Sequence, residues 1–196
     1  YSAPTTIPGV VLHPFASAGH RLGVVSAEAV LRLVDQLKKE GSWLDAYTLW
    51  VMLHGWVDGA LTNPGFDKPA LQRGFDWVWP RLPAGEAGVR ITQVSAAPRS
   101  GQMLRVELTG QAAIPTGLVA QTLILPGRRY RLTGRYSSER MRTREGLVWA
   151  LHCADGGERW AETTPLANTQ RRWHDFQLEF EVPGRCAHAV RLQLEP

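Results

Sequence analysis

Long apolar runs are missing from this 196-residue chain, cysteine is scarce, and the common catalytic loops are absent. No stretch approaches the ~18 apolar residues that a membrane helix needs, so no helical span is expected. Only two cysteines are present, Cys153 and Cys186. They allow one disulfide and an oxidising compartment without requiring either, two buried thiols being the other reading. There is no Gly-x-Ser-x-Gly elbow, no phosphate-cradling glycine loop and no His-Glu-x-x-His, so an enzyme is not expected. A basic-then-apolar leader is also lacking and the first residue is Tyr1. The chain therefore reads as a mature form or a piece of a longer protein.

What is present is a globular composition, 44% hydrophobic and 20% charged. The formal charge of +4 is unevenly spread, with seven arginines and one glutamate between Arg128 and Arg144. Such a run is either a solvated strand face or a surface for an anionic partner. Nucleic acid is the lesser candidate, because the run is confined to one hairpin and its aromatics point inward.

Residues 1–25 are rich in Pro, Gly, Ala and Ser and read as an irregular lead-in. From Ser26, a plausible N-cap, Val30, Leu33, Val34 and Leu37 repeat at helical spacing, and Gly41 closes the segment. Ser42 is placed as the cap of a second helix, with Asp45 three residues on. That helix has two apolar stripes, one of Leu44, Tyr47 and Val51 and one of Trp43, Ala46, Trp50 and Leu53, so it needs cover on two sides. The hairpin occupies 26–60. Beyond Leu61 the period changes to two, predicting strands over Gly88–Val94, Gln102–Thr109, Gly117–Leu125, Arg129–Ser137, Glu145–Cys153, Arg172–Val182 and Cys186–Glu195. With no helices between them, the expectation for 61–196 is an antiparallel β-sandwich, a jelly roll, preceded by the α-helical hairpin.

The segments NPGFD (63–67), VAQTLILPGRRYRLTGRYSSE (119–139) and WHDFQLEFEVPGRCAHAVRLQLE (173–195) resemble the opening, centre and closing strands of galactose-binding-like jelly rolls, which include many carbohydrate-binding modules. GSWLDAYTLW (41–50) resembles the turn of a tetratricopeptide-type hairpin. TREGLVWALHCADG (143–156) is similar to jelly rolls that follow such repeats in some bacterial envelope proteins. The resemblance implies a non-catalytic carbohydrate-binding domain, periplasmic or extracellular, with glycan or an envelope protein as partner. An interaction or scaffold module without sugar binding is the alternative. The resemblance also places Asp67 where an acidic residue often binds a structural calcium, but its usual partner in the last strand is missing from AVRLQLEP.

Sugar recognition uses aromatic faces and planar polar groups, which sets the candidates. Trp77 and Trp79 share one face of an extended segment, either as a stacking platform or as a seal between hairpin and β-region. Trp160 lies in the long polar connection from Ala154 to Gln170. Arg131 and Arg135, with Arg129, fall in the solvent-facing phase. Arg142 and Arg144 follow in the next loop and, with them, would suit an acidic glycan through two-pronged guanidinium pairing. Trp149 and Trp173 are assigned to the core. Asp155, Glu158 and Glu162 read as a solvated turn rather than as a glycosidase pair. His152 beside Cys153 cannot easily join it on a zinc ion, since adjacent strand residues face opposite ways.

Overall fold

The computed structural model describes residues 26–55, 60–80, 88–96, 101–108, 116–126, 129–141, 146–186 and 188–196. The lead-in expected over 1–25 lies outside them. Two helices come first, α1 (Ala27–Lys39) and α2 (Trp43–His54). Eight strands follow among the described residues: β1 (Val89–Ser95), β2 (Gln102–Leu108), β3 (Val119–Ile124), β4 (Arg129–Tyr136), β5 (Val148–Cys153), β6 (Ala161–Glu162), β7 (His174–Glu181) and β8 (Ala189–Glu195). The chain is mostly β, with every strand pairing antiparallel.

Ser26 caps α1, its hydroxyl accepting from Ala29 N at 3.2 Å. The other end of α1 closes as a Schellman motif. Gly41 sits at φ +77°, its N–H donates to Lys38 O at 3.2 Å, and Ser42 N donates to Leu37 O at 2.9 Å. Ser42 therefore makes no side-chain cap on α2, contrary to expectation. The three-residue connection, Glu40 to Ser42, commits its backbone N–H groups to finishing the helix before it.

One of the two expected covers of α2 is complete. Ala46, Leu49 and Trp50 pack with Val34 of α1 and with Phe75, and Ile124 of β3 packs against this cluster. The other stripe is only partly covered: Tyr47 packs edge-on to Phe75 at 5.1 Å, whereas Leu44 is 57% exposed.

A polar lock fixes the hairpin to the segment before β1. Arg73 reaches Asp35 Oδ2 through Nη2 (2.8 Å) and Nε (3.1 Å), and Glu28 through Nη1 (3.0 Å). Gly74 N donates to Asp35 Oδ1 at 3.1 Å, and Lys38 Nζ donates to Gly74 O. Lys38 also lies 4.8 Å from the Phe75 ring centroid. Burial lowers its amine from the ordinary 10.5 to about 8; Asp35 opposes the shift and Arg191 adds to it. A folded-state value below the unfolded one means that stability is lost as pH falls through about 8 and fully present above 10.5. Stability should therefore gain about 2 kcal/mol from this group between those limits, allowing for partial exposure. Lys38→Met should remove that gain, as urea titrations at a series of pH values would show.

The stretch from Leu61 to Pro80 is irregular because polar side chains, not a ladder, hold it. Asn63, at φ +49°, closes a loop by bonding Lys68 O (2.7 Å) and Lys68 N (3.2 Å) through its amide. Gln93 of β1 bonds the carbonyls of Phe66 (3.0 Å) and Lys68 (2.8 Å) and accepts from Ala70 N (2.9 Å). Gln121 of β3, fully buried, pairs both amide atoms with the backbone of Thr62, at 3.1 and 2.8 Å. Asp76, 4% exposed, accepts from Leu71 N and Trp77 N, each at 2.7 Å. These bonds satisfy backbone groups that a buried loop would otherwise strand.

One four-stranded sheet runs β3-β8-β5-β6, and β1-β2 and β4-β7 form two-stranded ribbons. The expected alternation is present. Leu104, Val106 and Leu108, Tyr130, Leu132 and Tyr136, and Phe176, Leu178 and Phe180 from the ribbons all pack on one cluster with Leu151, Val190, Leu192 and Leu194 of the sheet. Cys153 is bonded to Cys186, with Cα atoms 4.7 Å apart. Cys186 lies in the 3-10 turn Gly184–Cys186 rather than within the last strand, which begins three residues later.

Candidate functional site

The β4-β7 ribbon sorts its residues by phase. Inward, Tyr130 stacks on Phe180 with centroids 5.8 Å apart, and Phe176 lies over Gly134, where a Cβ would meet its ring at 2.4 Å. Outward, the register sets Arg129 opposite Glu181, Arg131 opposite Glu179, Thr133 opposite Gln177 and Arg135 opposite Asp175. Three of these rows are ion pairs: Arg129 Nε to Glu181 at 3.6 Å, Arg131 Nη2 to Glu179 at 2.6 Å, and Arg135 Nε to Asp175 at 3.1 Å. Exposed pairs of this kind add little stability, but they cancel charge. Arg129, Arg131 and Arg135 are thus solvent-facing as expected, yet they do not form an uncompensated basic surface.

Trp173 stands two residues before Asp175, just outside the first residue of β7. It was expected in the core and is instead 39% exposed, with Arg135 Cζ 5.9 Å from its ring centroid. The reason is parity. Phe176, Leu178 and Phe180 face inward, so Trp173, an odd number of residues from Phe176, shares the outward phase of Asp175 and Gln177. That signal was legible in the strand itself.

The chain leading into Trp173 is fixed by reciprocal bonds. Ser138 N donates to Thr169 Oγ1 (2.8 Å), Thr169 N donates to Ser138 Oγ (2.9 Å), and Arg171 N donates to Ser138 O (3.0 Å). Arg171 Nε meets Glu139 Oε2 at 2.6 Å. The hydrogen bond from Arg171 is the main cause that holds the Glu139 carboxyl below its ordinary range and raises the guanidinium above its own. At the other end of the ribbon, an open depression of about 460 Å³ is lined by Arg129, Tyr130, Arg131, Glu179, Phe180 and Glu181.

The tryptophans singled out from the sequence do not make a stacking platform. Trp77 is 3% exposed; its indole donates to Asn63 O at 3.0 Å and its ring packs 5.1 Å from Phe66 and 5.9 Å from Trp149. Burial leaves it no face to offer a sugar. Trp79 is half-buried against the main core, with its backbone N–H bonded to Gln72. Trp160 is half-buried too, edge-on to Phe180 at 5.7 Å, and its buried indole N–H has no partner among the described residues. Arg142 and Arg144 lie outside the described residues.

A second polar network covers the outer face of the four-stranded sheet. Arg191, Gln193 and Glu195 of β8 are joined in series at 3.2 and 2.8 Å, and Glu195 Oε1 also meets Arg159 at 3.4 Å and His152 Nε2 at 3.3 Å. His152 Nδ1 is 3.0 Å from Gly157 O. Every member is engaged with another, over the fully buried Ala150. The residues near Asp67 do not fit calcium, which takes 6–8 oxygen ligands. Asp67 is exposed, and among the described residues no three His, Cys, Asp or Glu side chains gather to hold a metal ion. The disulfide also removes both sulfurs from any zinc site.

Comparison of the chain with protein-family models, with curated proteins and with solved structures gave no match in any of the three.

Proposed function

We propose that this chain is a non-catalytic carbohydrate-binding domain whose β-region is a galactose-binding-like jelly roll and whose binding face is the outer side of the β4-β7 ribbon. One observation carries the reading: Trp173 is an exposed indole beside a row of paired, planar, hydrogen-bonding groups. An indole stacks on the C–H face of a pyranose, while guanidinium and carboxylate groups bond its hydroxyls. The single core shared by sheet and ribbons supports a sandwich, and the disulfide supports a periplasmic or extracellular setting at a cell envelope.

Trp173→Ala should weaken binding to immobilised polysaccharide by more than about tenfold, the loss of one well-used stacking contact. Affinity electrophoresis in a panel of polysaccharide gels would measure it. Unchanged retardation of the variant would reject this face. A second reading, a scaffold module without sugar binding, is favoured by the apolar surface of the hairpin, where Leu33, Leu44 and Met52 are 39%, 57% and 47% exposed. Co-purification of an envelope protein with a blank gel panel would select it.

A further inference from the structure

We infer, resting on the carbohydrate reading above, that the ligand of the ribbon is a linear, uncharged glycan chain lying along the strands, and not an acidic one. Charge is the first reason. Arg129, Arg131 and Arg135 face Glu181, Glu179 and Asp175 row by row, so the face carries three cations and three anions. A uronate approaching these rows meets as many carboxylates as guanidiniums, so attraction to one strand is offset by repulsion from the other, and at Arg131 it must also displace a two-nitrogen contact with Glu179. Hydroxyl groups, which both donate and accept, bond paired guanidinium and carboxylate without breaking them. The middle row, Thr133 with Gln177, is uncharged and exposed.

Length is the second reason. From Trp173, the residue before β7, to the Arg131–Glu179 row is six residues, roughly 20 Å at the rise of an antiparallel strand. That exceeds one sugar ring and suits a short oligosaccharide. Beyond that row lies the open depression, lined by Arg129, Arg131, Glu179 and Glu181 and by the inward-phase Tyr130 and Phe180. One indole at one end, polar rows of constant spacing and a hollow at the other end describe a track rather than a pocket.

The test uses the whole chain and ladders of gluco-, manno- and galacto-oligosaccharides of one to six units, with oligogalacturonates as the charged counterpart of the galacto series. Titration calorimetry should show affinity for at least one neutral ladder rising by about tenfold over the first units and then levelling. The uronates should bind more weakly, and neutral binding should be nearly independent of salt. The double variant Arg131→Ala, Glu179→Ala removes an exposed, charge-balanced row. It should weaken the four-unit ligand while leaving the two-unit ligand unchanged, with circular dichroism confirming the fold. Length-independent binding, or a preference for uronates, would overturn the linear neutral chain while leaving Trp173-dependent glycan binding in place. If no ladder binds in a Trp173-dependent way, both readings fall.

Discussion

Replacing Gly74 with alanine is expected to destabilise the chain by about 3 kcal/mol, the sum of a left-handed backbone penalty and overpacking. Gly74 sits at φ +62°, and a Cβ there would lie 2.4 Å from Trp50 Cζ3 and 2.7 Å from Cε3. The indole cannot swing aside: it is 1% exposed, flanked by Phe75 at 6.1 Å and His54 at 4.1 Å between centroids. The backbone cannot retreat either, because Gly74 N is held by Asp35 and Gly74 O by Lys38. For a domain of this size the change amounts to a fall in melting temperature of about 6–12 °C. Repeating the substitution in a Trp50→Leu background should recover part of the loss, which separates the steric from the backbone contribution. A shift smaller than about 0.5 kcal/mol would mean that the hairpin and the β-region are not packed this closely.

The second large effect concerns Cys153 and Cys186, which are separated by 33 residues in sequence. A crosslink closing a loop of that length restricts the unfolded chain by about 3–4 kcal/mol. Both residues are buried, at 5% and 2% exposure, and β5 and β8 already pair up to Cys153 and Val190. The folded state should therefore tolerate Cys153→Ala with Cys186→Ala, and the loss should come mainly from a freer unfolded state. Urea midpoints for the oxidised protein and the double variant would show it. Coincident curves would mean that the thiols are not joined in the purified protein.

Much of the fold was legible because its determinants are local. Ser26, the stripe from Val30 to Leu37 and Gly41 delimit α1 within a residue or two. Period-two alternation marked β2, β4, β5, β7 and β8, while β3, buried on both faces, was set off by the turn residues around it. What escaped depends on partners distant in the chain. Arg131 could be read as exposed, but not as neutralised, because Glu179 is 48 residues away and only the β4-β7 register brings them together. Trp77 could be read as lying on the same face as Trp79, but not as buried. Its burial depends on Asn63 and Phe66 of one loop and Trp149 of β5, two separate segments brought around it. Trp173 is different. Its outward phase follows from extending the alternation of β7 by one residue, so its exposure was legible locally.

The sorting of charge by strand on the ribbon bears on self-association. All three paired cations belong to β4 and all three anions to β7. Two molecules meeting through like strands would therefore oppose guanidinium to guanidinium or carboxylate to carboxylate. Edge-on pairing of like strands is thereby discouraged without help from proline or a bulge, whereas β4 of one molecule against β7 of another would set guanidinium against carboxylate.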